Sequence, residues 1–312
     1  MTLDINVLTS AVATLVLLIA VGYFAGRIGL LDDRTRKSLS DIVIKICQPA
    51  MIACALLGNE YSPELLKTGL FVALIGLCAH AVIALAAHLL VLRVKDADER
   101  KIFEFSLIFA NCAFIGFPIL EAAFGEKGLF YGSFYVVSFN IVMWSYGMLL
   151  LGRGRSDIKP SVKKMFLNYG TTPCLIGLAL YILRVPVPGF ILRGAGYLSG
   201  VCTPVAAMVI GGLISSLGLK KLFSDGRIYL FCLGKLVVIP LLLAVCAKLC
   251  GLSTEFVYLV ALMSALSTAA NTAMFAEIYG IKPTLAAGAV GMSSLLSAAA
   301  IPLVMLLVGL FA

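Results

Sequence analysis

The sequence Asn-Cys-Ala-Phe-Ile-Gly-Phe-Pro, residues 111–118, interrupts a long apolar run near the point where a bilayer would have its midplane. Proline lacks the backbone N–H that an α-helix needs, and its ring collides with the carbonyl four residues earlier. In lipid, backbone groups freed in this way are tolerated only where they are buried in protein or line a cavity. Broken helices at the midplane are typical of transporter binding sites, so this stretch predicts such a site.

The composition agrees with a membrane location. The 312-residue chain is 61% hydrophobic and only 13% charged, whereas soluble domains carry about 25% charged residues. This predicts an all-α polytopic membrane protein with little mass outside the bilayer. The net charge of +8 is attributed to cytoplasmic loops rather than to nucleic-acid binding. The nine cysteines lie in apolar runs without a Cys-x-x-Cys pair, which favours packing over a disulfide or metal site.

Ten apolar segments are long enough to cross about 30 Å of hydrocarbon. They are residues 7–25, 40–58, 67–92, 104–122, 128–151, 164–183, 195–217, 228–249, 254–278 and 284–311. One set of alternate loops holds seventeen lysines and arginines, and the opposite set holds five. By the positive-inside rule the first set faces the cytoplasm. This predicts a multi-pass protein of the cell membrane with both termini outside.

Paired positions relate the first five segments to the last five. Pro49 and Pro204 lie 155 residues apart, and Asn111 and Asn271 lie 160 apart. An odd number of spans in each half inverts the second half. The pattern predicts two inverted five-helix repeats, residues 1–152 and 164–312, joined by a short cytoplasmic linker at 153–163. Spans four and nine are then a pair of broken helices that cross.

The polar side chains within these spans suggest what the crossing binds. Span nine has no proline, and its small and hydroxylated residues fit either a second break or ordinary helix packing. The amides of Asn111 and Asn271 can hold a carboxylate, aided by the positive ends of the half-helices; the alternative is an interhelical hydrogen bond. Further candidates for the site are Ser267, Thr268, Thr272, Gln48, Asn140 and Tyr131.

Ionisable residues are few within the spans. Asp41 and Lys45 are spaced to pair on one helical face. Lys235 either snorkels or attracts an anion, and His80 either packs or titrates. No Asp or Glu lies near the midplane, where a proton-coupled pump usually needs a carrier. An anionic substrate is therefore expected without any cofactor, and coupling to H⁺ or Na⁺ stays open.

Three stretches resemble the auxin efflux carrier family, which includes bacterial malonate and malate permease-like members and the plant PIN-type carriers. Residues 111–118 look like the family's Asn-x-x-x-x-Gly-x-Pro in span four, and residues 275–283 look like the end of span nine. Pro204 with the glycines at 211 and 212 is similar to span seven. The resemblance covers nearly the whole chain and implies the bile-acid sodium symporter-like fold. Ser267 and Thr272 stand where the family often has prolines.

The resemblance also implies a function. It implies ten helices in two inverted repeats, elevator-type movement, often a homodimer, and an organic anion held at the crossing. By motif match Asn111, Gly116, Pro118 and Asn271 carry over as substrate-binding residues. We therefore expect a secondary transporter for efflux or exchange of a mono- or dicarboxylate. Its partners would be that anion and membrane lipid, with no nucleic acid.

Two alternatives stay open at this point. A sodium-coupled organic-anion symporter of the bile-acid type would need a cluster of oxygen ligands, and the candidates are Gln48, Ser264, Ser267 and Thr268. An intramembrane enzyme or a membrane sensor is disfavoured. The sequence offers no paired midplane carboxylates, no Ser/His constellation and no appended signalling domain.

Overall fold

The structure is a computed structural model that describes residues 5–218 and 225–312. The outermost N-terminal residues, predicted to face outward, and the predicted cytoplasmic Lys220 and Lys221 lie outside these ranges. Within them, seven helices are long and apolar enough to cross a membrane. They are Asn6–Arg27, Asp33–Leu57, Pro63–Val91, Glu126–Leu151, Gly189–Leu217, Gly226–Leu249 and Pro283–Gly309. The prediction of an all-α polytopic membrane protein is confirmed.

The three other predicted spans contain shorter helices, because two of them are interrupted. In chain order the helices are α1 (Ile5–Arg27), α2 (Asp33–Ile42), α3 (Gln48–Leu57), α4 (Pro63–Val91), α5 (Ala97–Ile108), α6 (Gly116–Phe124), α7 (Glu126–Val142), α8 (Met148–Leu151), α9 (Val162–Phe166), α10 (Thr171–Leu183), α11 (Gly189–Leu217), α12 (Gly226–Leu233), α13 (Ile239–Leu249), α14 (Thr254–Ala265), α15 (Asn271–Ile278) and α16 (Pro283–Gly309). Span four consists of α5 and α6, and span nine of α14 and α15.

Three π-helical turns join neighbouring helices into longer spans. Val43–Cys47 joins α2 to α3, Met143–Gly147 joins α7 to α8, and Gly234–Val238 joins α12 to α13. Pro49 and Pro240 each lie two residues beyond such a turn. The wider turn accommodates a proline whose ring would collide with the preceding turn of an α-helix. Such turns occur frequently at functional sites.

Glycines bring α1 and α11 into direct backbone contact. A Cβ on Gly22 would lie 2.1 Å from the carbonyl oxygen of Met208, and one on Gly211 would lie 2.0 Å from that of Ile19. Only glycine fits at such distances. Close approach through small residues is a usual way to pack helices in lipid, where no hydrophobic force draws them together.

Ion pairs join three helix ends on the side predicted to be cytoplasmic. Lys282, at the start of α16, has its Nζ 2.8 Å from Asp96, the residue that caps α5. Arg227 of α12 lies 2.7 Å from Glu99 of α5. Hydrogen bonds from Lys282 and from the backbone N–H of Glu99 lower the pKa of Asp96 to about 2. These contacts hold the first half of broken span four to α12 and α16.

Candidate functional site

The two interrupted spans cross where both are unwound. Seven residues separate α5 from α6, and five separate α14 from α15. The N–H of Asn111 donates to the carbonyl of Ser267 at 2.7 Å, and the N–H of Ala269 donates to that of Phe109 at 2.9 Å. Each break therefore satisfies backbone groups of the other, as hydrocarbon surroundings require.

The second break has no proline, and neighbouring elements hold it open. The N–H of Thr268 donates to Oγ of Ser293 in α16 at 3.0 Å. The Thr268 hydroxyl donates to the carbonyl of Ser106 in α5 at 3.2 Å. Because these polar groups are bonded to other helices, residues 266–270 do not need to form helical hydrogen bonds of their own. The structure thus has the second interruption that the sequence left open.

Asn111 sits in the first break with half of its amide unpaired. Its side chain is buried, with 4% of the residue exposed. Its Oδ1 accepts a hydrogen bond from the Phe114 N–H at 3.3 Å, which sets the orientation of the amide. Its Nδ2 has no partner within the described residues. A buried unpaired donor costs about 1–3 kcal/mol, so a native one points to a bound water or ligand.

A cavity of about 240 Å³ opens beside the crossing. Four of the predicted binding residues line it together, namely Gln48, Asn111, Asn140 and Asn271. The rest of the wall is largely apolar and includes Phe114, Val136, Phe139, Met143, Trp144, Met274 and Phe275. This combination of an apolar wall and a few converging polar groups is typical of small-molecule sites.

The amides in the wall differ in what they have left to donate. Asn140 Nδ2 donates to the carbonyl of Val136 at 3.0 Å. Asn271 Nδ2 lies 3.3 Å from the thioether sulfur of Met143, which is a weak acceptor. Asn111 has no acceptor at all for its Nδ2 in the described ranges. Of the three asparagines, those with a donor left for a ligand are therefore Asn111 and, next, Asn271. Trp144 Nε1 in the same wall is also without a partner in the described ranges.

The charged groups of the wall form one ion pair, and two helices begin beside the cavity. Of the described residues that line the cavity, Asp41 is the one carboxylate, and it is paired with Lys45 at 3.0 Å. Helices α6 and α15 both begin next to the cavity without a side-chain cap. The N-terminal end of a helix carries partial positive charge, which attracts anions.

The other predicted site residues do not line this cavity. Those that lie in or just after the breaks, behind the wall, are Gly116, Pro118, Ser267, Thr268 and Thr272. Tyr131 is engaged elsewhere, because its hydroxyl donates to Oε1 of Glu255 at 3.2 Å. The structure therefore brings four of the ten predicted residues to the cavity wall.

Part of the wall went unrecognised in the sequence. Asn168 and Tyr169 lie in the segment before α10, and Met143 and Trp144 lie in the second π-helical turn. No sequence pattern connects these four residues with residues 111–118. Only the three-dimensional packing brings these side chains to the crossing.

Glu104 is the first residue of the predicted fourth span, residues 104–122. Helix α5 begins at Ala97, so Glu104 lies two turns inside it and is fully buried. Its carboxylate accepts a hydrogen bond from the Tyr146 hydroxyl at 3.1 Å and lies 3.4 Å from Arg153. His88 Nδ1 lies 3.3 Å away. A buried carboxylate requires such partners.

The structure also gives the surroundings of Lys235 and of the candidate sodium ligands. Lys235 does not snorkel, because it is fully buried and donates to the carbonyl of Leu107. Of the candidate sodium ligands, Gln48 lies in the cavity wall. The hydroxyls of Ser264 and Thr268 are bonded to backbone carbonyls instead.

Comparison of the sequence with known proteins identifies the family of this chain. The model of the family described as "Membrane transport protein" matches residues 7–305. An uncharacterized transporter of Methanocaldococcus jannaschii is 28% identical over 222 residues, which cover 67% of this chain and 70% of the relative. An uncharacterized transporter of Methanothermobacter thermautotrophicus is 22% identical over 301 residues, 95% of this chain and 96% of the relative. The chain is therefore a membrane transporter that belongs to this membrane transport protein family, the family of the auxin efflux carriers.

Proposed function

We propose that this transporter carries a small organic anion, bound at the crossing of its two broken helices. The observation that carries the proposal is the buried, unpaired amide of Asn111 in the wall of a cavity of about 240 Å³. A carboxylate accepts hydrogen bonds from such an amide, and charge makes these bonds stronger than neutral ones. The adjacent starts of α6 and α15 add positive potential.

Within the class of mono- and dicarboxylates, the wall supports an anion with one charge and an apolar body. Lys45 is the basic residue of the described wall, and it is already paired with Asp41. A second carboxylate would lose its water without gaining a free cation, which is costly. Phe139 and Trp144 offer an apolar surface to the uncharged part of such an anion.

We propose an elevator-type movement between two inverted five-helix repeats, residues 1–152 and 164–312, with both termini outside. In support, Phe109 and Ala269, which bond across the crossing, are 160 residues apart, as are Asn111 and Asn271. The ion pairs that hold α5 to α12 and α16 define one candidate body. The glycine contacts between α1 and α11 define another. The proposal includes a homodimer and transport by efflux or exchange.

Counterflow in proteoliposomes tests the proposed function. Vesicles that contain the purified protein are preloaded with benzoate or malonate and then given the labelled compound outside. We expect saturable accumulation of label above that in protein-free vesicles, and no such accumulation of the neutral analogue benzamide. A folded protein that moves neither acid would overturn the proposal. Chemical conversion of either acid by the detergent-purified protein would point to an enzyme instead.

A further inference from the structure

Glu104 is a buried carboxylate inside a membrane span, and the proposed binding of an anion does not use it. In the described part of the chain it is the one Asp or Glu that is fully buried. It lies two turns inside α5, toward the end of the molecule predicted to be cytoplasmic. Ionisable side chains within membrane spans usually mark ion or proton sites, because charge is costly to bury there. The groups around Glu104 therefore indicate what it binds.

Three side chains from different elements converge on the two carboxylate oxygens of Glu104. Oε1 accepts a hydrogen bond from the Tyr146 hydroxyl at 3.1 Å and lies 3.3 Å from Nδ1 of His88. Oε2 lies 3.4 Å from a guanidinium nitrogen of Arg153. Arginine keeps its charge at all relevant pH values, whereas histidine gains or loses its charge between pH 5 and 8. The cluster therefore holds one permanent cation and one that depends on pH.

The other charged groups near this cluster make no bond to Glu104 among the described residues. They belong to α5 itself and to the two later helices that pack against it, α15 and α16. They are Asp98, Glu99, Arg100 and Lys101 of α5, Glu277 of α15, and Lys282 at the start of α16. His88 is thus the group beside Glu104 whose charge changes near neutral pH.

The cluster is open to protons from the predicted cytoplasmic side. His88 lies in the last turn of α4, and 44% of its side chain is exposed. The side chain of Arg153, on the other oxygen of Glu104, is 48% exposed. A proton that binds His88 therefore arrives from water, and it adds its charge beside a carboxylate that water does not screen.

Tyr146 connects this cluster with the wall of the substrate cavity. It belongs to the π-helical turn Met143–Gly147, and Met143 and Trp144 of the same turn line the cavity. The negative charge of Glu104 acts on an anion in the cavity through protein rather than through water, so the repulsion is weakly screened. A proton on His88 offsets that charge. Proton binding and anion binding then favour each other, and the coupling is reciprocal.

We propose that Glu104 and His88 form a proton site that controls the affinity of the substrate cavity, so that anions bind more tightly when His88 is protonated. The inference rests on the proposed binding of an anion at the crossing. Neither residue lines the cavity. Both act on the substrate through charge, without touching it.

The pH dependence of benzoate binding tests the inference. Carboxyl groups titrate near pH 4, so benzoate is an anion both at about pH 6 and at about pH 8. Calorimetry on the purified full-length protein should give a dissociation constant about threefold or more lower at the lower pH. Equal constants, or tighter binding at the higher pH, would overturn the proton site and leave the proposed function intact. No binding at either pH would overturn the proposed function itself.

Variants of the cluster assign the effect to its residues. Glu104→Gln removes the repelling charge, so at about pH 8 it should bind benzoate about threefold or more tightly than the wild type. A gain in affinity of this kind does not arise from misfolding. His88→Gln keeps a polar side chain that does not titrate, and it should bind equally at both pH values. Lys101→Gln is the matched control, because Lys101 lies on the same helix but pairs with Asp98. It should keep the wild-type dependence on pH.

Three outcomes of the variant tests would overturn the inference. The first is unchanged or weaker binding at about pH 8 by a folded Glu104→Gln protein. The second is a wild-type dependence on pH in His88→Gln. The third is loss of that dependence in Lys101→Gln as well, which would assign the effect to the charge of the surface as a whole. If Glu104→Gln does not fold, His88→Gln decides, because it alters a side chain that is partly exposed.

Discussion

Replacing Asn111 with alanine should separate ligand binding from stability. The side chain makes one hydrogen bond, from the Phe114 N–H to Oδ1 at 3.3 Å, and its Nδ2 makes none in the described ranges. Losing that bond leaves the Phe114 N–H unpaired, which costs about 1–3 kcal/mol, and removing the unpaired Nδ2 recovers about the same amount. The two effects nearly cancel. The unliganded Asn111→Ala protein should therefore melt within a few degrees of the wild type.

Affinity for a carboxylate should fall much further. A hydrogen bond to a charged group contributes about 1.5–3 kcal/mol. Because about 1.4 kcal/mol corresponds to a factor of ten in the dissociation constant, the expected loss is about 10- to 100-fold. Calorimetry with benzoate measures the loss directly, and the ligand-induced rise in melting temperature gives an independent reading.

Asn140→Ala is the matched control for this prediction. Asn140 lines the same cavity, but its Nδ2 already donates to the carbonyl of Val136 at 3.0 Å. Its removal should weaken binding less than the removal of Asn111. An Asn111→Ala protein that binds benzoate like the wild type would refute the reasoning. Equal losses in both variants would show that the shape of the cavity matters and that the free donor does not.

Three further predictions concern stability. Gly22→Ala should lower the free energy of unfolding by about 2 kcal/mol or more, because the new Cβ would lie 2.1 Å from a backbone carbonyl of α11. Gly200→Ala, whose Cβ meets open space, should be neutral or slightly stabilising in the same thermal-melt assay. Arg153→Gln should lower the melting temperature more than Glu104→Gln, because it leaves a buried carboxylate without its cation. The pKa of Asp96 is about 2 in the folded protein, below its ordinary value of 3.8. Its ionised form therefore stabilises the fold above about pH 4, and this contribution is lost as the pH falls toward 2. Asp96→Asn should flatten the dependence of melting temperature on pH across that window.

The class of fold and the first break followed from local chemistry. A chain with so few charges and such long apolar runs can satisfy its backbone in lipid mainly as helices. The break at residues 111–118 was predictable because Pro118 acts on its own preceding turn, whatever surrounds it. The pairing of Asp41 with Lys45, whose charged atoms lie 3.0 Å apart, followed from helical spacing alone.

The rest of the site depends on packing between distant segments. Asn168 reaches the cavity from the segment before α10, and Trp144 reaches it from a π-helical turn. A turn of this kind leaves no clear pattern of residues, because apolar side chains continue through it. The burial of Glu104 was missed for a related reason. A carboxylate near the end of an apolar run normally marks the surface, and its partners Tyr146 and Arg153 lie more than forty residues away.

The two breaks at the crossing persist for different reasons, and this limits how the site can move. The first break is followed by Pro118, the third residue of α6, which disfavours a continuous helix through residues 109–115 wherever α6 goes. The second remains open because Thr268 is bonded to Ser293 of α16 and to Ser106 of α5. Pulling α16 away would leave a buried N–H unpaired, at a cost of about 1–3 kcal/mol. Pulling α5 away would also break the backbone pairing with Ser267 and Ala269.

Any movement that carries the crossing through the membrane must therefore carry α5, α14 and α16 as one body. Ion pairs from Lys282 and Arg227 already tie α16 and α12 to α5 at its predicted cytoplasmic end. In the proposed elevator movement, the surface along which the two bodies slide would therefore lie outside this group of helices.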